Sequence, residues 1–202
     1  MSVVSEPTSP AQDRGDTPTL FGRSGVVEAL ERLLQETDEH AGGAVILHGG
    51  PGIGKTAVVA AVQARAAARG MRVLATTGVP SETNLPFAGL HQLVRPLLGG
   101  LTRLPAPHRE ALEAAFGMSS ESAPDRFRIA LAALELLCEA ATSQSLLLVS
   151  EDAHWLDGPT VEVLAFIARR LRSDPIALVL AVRDGGEDGL SLIHISEPTR
   201  PY

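Results

Sequence analysis

The stretch that decides the fold is Gly49-Gly50-Pro51-Gly52-Ile53-Gly54-Lys55-Thr56, which we call the P-loop. Its spacing fits the phosphate-binding pattern of a glycine, four variable residues, and then Gly-Lys-Ser or Gly-Lys-Thr. Glycines let the backbone turn tightly, so that successive N–H groups point at phosphate oxygens. The segment therefore predicts a nucleotide-binding loop; the alternative is a glycine-rich turn that binds no ligand.

The sequence on either side of the P-loop favours the nucleotide-binding interpretation. Residues 44–47 form a short apolar run between two glycine pairs, which is typical of a buried parallel strand, and the alanine-rich residues 56–69 indicate a helix. Such a helix directs its positive N-terminal end at the same anion. We expect the Lys55 ammonium to reach the β- and γ-phosphates of ATP and the Thr56 hydroxyl to bind Mg²⁺.

The composition excludes several classes of protein. The chain has 202 residues, 45% of them hydrophobic and 20% charged, with a net charge of −7, and this predicts one domain with a sizeable core. The single cysteine, Cys138, excludes a disulfide scaffold and a cysteine-based metal cage. The longest apolar run, residues 176–182, is too short to cross a membrane, and no signal peptide is visible. We therefore expect a cytoplasmic protein with no membrane partner.

The use of basic residues singles out one position. Of the 17 basic residues, Lys55 is the single lysine and the others are arginines. A chain that uses arginine almost everywhere keeps its one lysine where a compact ammonium is needed and a planar guanidinium does not fit. That position is the lysine of the P-loop, which strengthens the phosphate-binding interpretation.

The remaining patterns alternate between strands and helices. The spacing of apolar residues predicts helices at about 24–36, 56–69, 86–98, 107–116, 125–142 and 159–172, and strands at about 44–47, 73–75, 146–149 and 176–182. Strands that alternate with helices indicate an α/β fold with a parallel sheet sandwiched by helices. We expect a P-loop NTPase fold in which about four of five core strands are present.

A second strand ends in acidic residues. The apolar run of residues 146–149 is followed by Ser150, Glu151 and Asp152. The carboxyl ends of parallel strands face the same crevice, so one of these carboxylates is expected to bind Mg²⁺ and the other to orient the attacking water. The alternative is that Glu151 and Asp152 are solvated loop charges.

Together these motifs resemble a known family. The P-loop combined with Glu151-Asp152-Ala153-His154-Trp155-Leu156-Asp157 resembles the AAA-like ATPase domain of large LuxR-type (MalT-like) bacterial regulators, which is grouped with origin-recognition-complex-like ATPases and signalling NTPases. The resemblance covers about residues 20–189. It implies that Phe21, Gly22 and Arg23 lie near the adenine pocket, and that Arg183 approaches the γ-phosphate from the end of a sensor strand.

The resemblance also implies a nucleotide switch within a larger regulator. In such proteins a C-terminal helix-turn-helix binds DNA, so we expect no direct DNA binding by this fragment and allow nucleotide-dependent self-association. The family usually has aspartate where this chain has Glu151. Because glutamate is one methylene longer and Mg²⁺ is strict about geometry, hydrolysis is expected to be slow, with either Glu151 acting through water or Asp152 binding the ion.

Other singled-out side chains have structural explanations beside functional ones. Trp155 is interpreted first as an apolar anchor of its loop, Asp157 equally as a helix cap or a catalytic group, and Cys138 as a core residue. The histidines His48 and His154 are interpreted as structural, or as supporting the site residues from behind, rather than as metal ligands, since no cluster with zinc-ligand spacing is visible in the sequence.

The two ends of the chain fall outside the domain pattern. Residues 1–18 are expected to be a disordered lead-in, and residues 19–189 the ATPase domain. The tail of residues 190–202 matches the translation of a transposon-type sequencing adapter, so we interpret it as non-native and the domain as truncated. The strand before the P-loop is then expected to be left as an open sheet edge.

Three functions remain open from the sequence. The first is ATP binding with slow Mg²⁺-dependent hydrolysis in a LuxR-type regulator. The second is a self-standing P-loop enzyme such as a small-molecule kinase, although no acceptor site is recognisable. The third is a truncated fragment without function, whose exposed sheet edge favours aggregation.

Overall fold

The computed structural model describes residues 24–119, 125–183 and 190–195. Its α-helices are α1 (Ser24–Asp38), α2 (Lys55–Ala68), α3 (Ala88–Val94), α4 (Ala106–Ala115), α5 (Arg126–Ala141) and α6 (Gly158–Ala168). Its strands are β1 (Gly43–Gly49), β2 (Arg72–Thr77), β3 (Leu146–Glu151), β4 (Ile176–Arg183) and β5 (Ser191–His194). Short 3₁₀ helices occupy Pro80–Glu82, Arg95–Arg103, Ala153–Trp155 and Leu171–Ser173.

The strands form one sheet in the order β2-β3-β4-β1-β5. β2, β3, β4 and β1 run parallel, whereas β5 runs antiparallel to β1. Each connection between parallel strands carries at least one helix, as parallel pairing requires. The prediction of an α/β fold with a parallel sheet is confirmed.

Helices cover both faces of the sheet because strand residues alternate between two apolar clusters. Val45, Leu47, Leu147 and Val149 point towards α1 and α2, where they join a cluster with residues such as Leu34 and Val58. The intervening residues Leu146 and Leu148 belong to the cluster formed with α3 to α6. All-round burial of this kind explains why the strands read as continuous apolar runs.

The middle of the chain departs from the predicted helix of residues 86–98. α3 ends at Val94, and the chain continues as a 3₁₀ helix over Arg95–Arg103. Pro96 lacks the N–H that an α-helix needs and clashes with the preceding turn, and Gly99 and Gly100 lower the helical propensity further. The α-helix therefore gives way to the tighter form at the proline.

The fifth strand corrects the expectation that the strand before the P-loop is an open edge. β5 lies beside β1, with His48 opposite Ser191, and the Ile195 N–H donates to the Ala44 carbonyl at 2.9 Å. Unpaired N–H and C=O groups along an edge strand accept an extended segment that reaches them, and Leu192 adds packing against the core. This pairing does not depend on whether residues 190–202 are encoded by an adapter or by the natural gene.

Two features of the described residues concern membrane spans and the single cysteine. None of the helices in the described ranges combines the length and apolar character that crossing a bilayer requires. Cys138 packs half-buried against the larger core cluster, as its place on the apolar face of α5 predicts. Burial, with the nearby Asp174 carboxylate, raises the pKa of the Cys138 thiol to about 12.

The larger core cluster should respond strongly to truncation of a buried leucine. Leu148 lies in the middle of β3 and is fully buried, so Leu148→Ala is expected to lower the free energy of unfolding by about 2–5 kcal/mol through lost burial and a residual cavity. Urea denaturation followed by circular dichroism measures the change. The matched control is Leu85→Ala, whose side chain is 54% exposed, and equal losses from the two variants would contradict the assignment of the core.

Candidate functional site

The P-loop joins the end of β1 to the start of α2. Gly52 has φ +74° and Gly54 has φ +94°, values that glycine adopts without strain, and open space surrounds the Cα of Gly52. Helix α2 begins at Lys55, and the first N–H groups of a helix have no partner within it. The loop therefore presents backbone donors at the positive end of α2, which is the geometry that binds an anion.

Lys55 folds back over this loop. Its Nζ donates to the Gly49 carbonyl at 2.6 Å and to the Gly50 carbonyl at 2.9 Å. Burial lowers the pKa of Lys55, as does the positive charge of Arg183, while the negative charge of Asp152 opposes the shift. Arg183 at the end of β4 and Asp152 directly after β3 therefore both act electrostatically on Lys55.

Arg183 is the last residue of β4 and lies beside the P-loop through the strand register. It is opposite Gly49, the last residue of β1. The Arg183 backbone N–H is 3.5 Å from the Nδ1 of His154, which lies in the short helix after β3. The register thus places the predicted γ-phosphate residue next to the first glycine of the loop.

The two acidic residues occupy different backbone environments. Glu151 ends β3, and its carbonyl accepts from the Gly78 N–H at 2.9 Å. Asp152 follows with φ +46° and ψ +42°, a left-handed conformation that aspartate tolerates better than most residues. Both side chains are partly exposed, and the charge of Asp152 is the one that acts on Lys55.

The crevice at the carboxyl ends of β1, β3 and β4 thus collects most of the predicted site. It contains the P-loop, Arg183 and the two acids, with Thr56 in the first turn of α2. Phe21, Gly22 and Arg23, which the sequence predicts near an adenine, lie outside the described residues. Among the described residues no group of three His, Cys, Asp or Glu side chains is arranged to hold a metal ion by itself.

The hard oxygen donors at the crevice nevertheless fit Mg²⁺ bound together with a nucleotide. Mg²⁺ is usually held by one or two protein oxygens, with phosphate oxygens and water completing its octahedron. The Thr56 hydroxyl is exposed at the start of α2, and the Asp152 carboxylate acts electrostatically on the neighbouring Lys55. A protein site with few ligands of its own is therefore the kind that this ion uses.

Asp157 caps α6, as one of the two sequence interpretations predicts, and also binds a distant segment of the chain. Its carboxylate caps α6 by accepting from the Thr160 N–H at 2.9 Å, which favours the helix-cap interpretation. It also accepts from the N–H groups of Phe87 at 2.8 Å and Gly89 at 3.1 Å. These contacts span about 70 residues, and no local sequence pattern signals them.

Trp155 and the arginines after α6 face solvent more than the core. The Trp155 side chain is 39% exposed, which is more than an apolar anchor of its loop would show. Arg169 and Arg170 are exposed at the end of α6, and Arg170 lies 3.6 Å from the ring centroid of Phe166. Both arginines are therefore solvated at the end of this helix.

The ionisation of Lys55 makes a testable prediction for anion binding. Bound phosphate favours the ammonium and raises its pKa, so nucleotide binding takes up a proton between the free and bound pKa values. Affinity is therefore expected to fall as pH rises through the lowered pKa of free Lys55, by at most about tenfold per pH unit. Calorimetric titrations with ATP from neutral pH to about pH 10 measure this fall.

A variant at the neighbouring cation tests the cause of the pH dependence. Arg183→Ala removes a positive charge that lowers the pKa of Lys55, so the fall in affinity should move to higher pH. Affinity that stays constant over the whole alkaline range, or a fall that moves to lower pH in this variant, would contradict the account.

Residues 19–180 match the family model of an AAA ATPase domain. Among solved structures, the chain is similar to the ORC2 protein of Aeropyrum pernix in its ADPNP–ADP complexes, at 22% identity and a TM-score of 0.47, covering 83% of this chain and 42% of that one. It is also similar to Drosophila ORC bound to DNA, at 15% identity and a TM-score of 0.42, covering 91% of this chain and 48% of that one.

The chain therefore spans less than half the length of either of these structures. The comparison with curated proteins finds no match.

Proposed function

This chain belongs to the AAA ATPase domain family, and we propose that it binds ATP with Mg²⁺ in the crevice where β1, β3 and β4 end and hydrolyses it slowly. The observation that carries the proposal is the register of β1 with β4, which sets Arg183 beside Gly49 and so puts a second cation next to Lys55. Two cations around a loop of backbone donors suit a polyphosphate.

Each residue of the crevice takes a role that its chemistry supports. The backbone N–H groups of the P-loop after Pro51, which itself has no N–H, hold the phosphates together with the start of α2. Lys55 leaves the carbonyls of Gly49 and Gly50 and donates to the β- and γ-phosphates instead. Arg183 stabilises the charge that develops on the γ-phosphate during transfer.

Mg²⁺ bound together with the nucleotide would neutralise the negative charge that develops on the phosphates. Thr56 and Asp152 would hold it, since both offer oxygen ligands at the crevice and the Asp152 charge reaches Lys55 of the P-loop. Glu151 then orients the attacking water. Its extra methylene, where the resembled family has aspartate, supports slow rather than fast hydrolysis.

Phosphate release distinguishes hydrolysis from binding alone. The chain is incubated with ATP in the presence of Mg²⁺ and, separately, with EDTA, and inorganic phosphate is followed over several hours. We expect slow release that requires Mg²⁺ and that Lys55→Ala abolishes. Tight nucleotide binding without release above the Lys55→Ala background would leave a binding module and refute the hydrolytic part.

We further propose that the domain, residues 19–189, is the nucleotide switch of a LuxR-type transcriptional regulator. The support is the run from Asp152 to Asp157, which resembles that group of regulators more specifically than the P-loop does. The test is the genomic sequence beyond codon 189. An open frame that encodes a helix-turn-helix supports the regulator, whereas a continuous gene for a short enzyme with an acceptor domain refutes it.

A further inference from the structure

We propose that Asp157 is a positioning residue for the nucleotide site. Its buried carboxylate fixes the C-terminal end of the loop that begins with Asp152. The inference rests on the proposed function and adds a residue outside the crevice. Asp157 follows Asp152 by five positions, after the 3₁₀ helix Ala153–Trp155 and Leu156. None of the hydrogen bonds to its carboxylate involves the P-loop. Its effect on the position of Asp152 passes through the backbone between the two residues.

The Asp157 carboxylate is held by four donors while only 1% of the residue is exposed. One oxygen accepts from the N–H groups of Phe87 and Thr160, at 2.8 and 2.9 Å. The other oxygen accepts from the Gly89 N–H at 3.1 Å and the Thr160 hydroxyl at 2.7 Å. A buried carboxylate survives only when its lone pairs are satisfied, so this residue has essentially one allowed position.

These donors belong to two separate parts of the fold. Thr160 lies in the first turn of α6, whereas Phe87 and Gly89 bracket the start of α3. The Thr160 hydroxyl also accepts from the Leu90 N–H at 3.0 Å, which extends the link. Asp157 therefore caps α6 and fastens the α3 segment to the chain that follows β3.

Asp152, at the other end of the same loop, is held in a conformation that needs support. Its left-handed φ of +46° is sparsely populated for a residue with a side chain. The Trp155 N–H donates to the Asp152 carbonyl at 2.8 Å. The Cα of Gly78 packs so closely on that carbonyl that a Cβ there would overlap it.

The loop between Asp152 and Asp157 is therefore clamped at both ends. Gly78 packs against the backbone of the loop at Asp152 and at Leu156, and the Asp157 carboxylate anchors the C-terminal end of the loop to α3 and α6. The Leu156 N–H bonds the Ala153 carbonyl at 3.2 Å, so only one tight turn separates the two ends. A displacement of Asp157 must move the backbone that orients the Asp152 carboxylate.

A simple cap would behave differently, and the chain contains one for comparison. Asp125 caps α5 by accepting from the Phe127 N–H at 3.2 Å and is exposed, and among the residues that the structure describes its side chain accepts from no second helix. Asp125→Asn and Asp157→Asn make the same chemical change. In Asp157→Asn the new amide group must face N–H donors, so at least one of them loses its acceptor.

The experiment compares these two variants with the unmodified chain. ATP affinity is measured in EDTA, and phosphate release is measured against Mg²⁺ concentration, with Trp155 emission as a report on the loop itself. For Asp157→Asn we expect ATP affinity in EDTA within about twofold, and about 10-fold or more loss in the apparent Mg²⁺ affinity or in kcat. We also expect a shifted Trp155 emission, while Asp125→Asn leaves all three readouts unchanged.

A second variant decides the case if Asp157→Asn does not fold by circular dichroism. Gly78→Ala puts a Cβ against the Asp152 carbonyl and the Leu156 nitrogen, the latter at 2.9 Å, and so displaces the loop without changing Asp157. The same selective loss of Mg²⁺-dependent release is expected. Release that equals that of the unmodified chain in the folded variant would overturn the inference.

The outcomes separate this inference from the proposed function. If the unmodified chain neither binds ATP nor releases phosphate, the proposed function fails. If it does both and Asp157→Asn matches Asp125→Asn in every readout, Asp157 is a cap and nothing more. A parallel loss of ATP affinity in EDTA and of release would also overturn the positioning role, because a general loss of structure explains it.

Discussion

Replacement of Lys55 by alanine is expected to weaken ATP binding by on the order of 100-fold. The Lys55 ammonium already donates hydrogen bonds to the carbonyls of Gly49 and Gly50 in the P-loop. Its removal takes away a charge-assisted donor to phosphate in a place that Arg183 cannot fill, since a guanidinium at the end of β4 approaches from the neighbouring strand.

The matched control for this prediction is Arg72→Ala. Arg72 begins β2, an edge strand that β3 and β4 separate from β1. Its guanidinium donates to the Pro96 carbonyl at 2.8 Å. Both variants change the net charge by the same amount. Isothermal titration calorimetry compares their ATP affinities, and equal losses would show that a long-range field, rather than the P-loop lysine, holds the nucleotide.

Asp152→Asn is expected to slow Mg²⁺-dependent phosphate release by on the order of 100-fold or more, which is the second large effect. The Asp152 charge acts on Lys55, and the Asp152 carbonyl accepts from the Trp155 N–H and lies in close contact with Gly78. Glu151→Gln is expected to cost less, about tenfold.

The comparison of these two variants also tests the division of roles between the acids. Phosphate release is measured at saturating ATP and Mg²⁺, and ATP affinity is measured separately in EDTA. Loss of a negative charge beside the phosphates should leave the affinity in EDTA equal or higher in both variants. A larger loss of release in Glu151→Gln would exchange the two roles.

Local sequence patterns are sufficient to predict the strand before the P-loop, the helix after it and the strand that ends in the two acids. The apolar run before Gly49, the glycines of the P-loop and the alanine-rich helix after it are neighbours in sequence, so their structure follows from short-range rules. The same holds for β3 with its terminal acids. The family match over residues 19–180 confirms the AAA part of the resemblance.

The features that escaped prediction depend on contacts between distant residues. Nothing near Asp157 indicates that Phe87 and Gly89 will donate to it, and Phe87 adopts φ +64°, which no propensity predicts for phenylalanine. The expectation for β5 fails for another reason. Residues 190–202 match the translation of a sequencing adapter and are interpreted as non-native, whereas pairing with β1 requires only an extended segment that can reach the edge.

The most direct test of the central claim is a calorimetric titration of the chain with a non-hydrolysable ATP analogue and Mg²⁺. The account predicts saturable binding with one site per chain, and loss of that signal in Lys55→Ala at the same concentrations. An absence of saturable binding to the unmodified chain, or identical curves for the chain and Lys55→Ala, would contradict it.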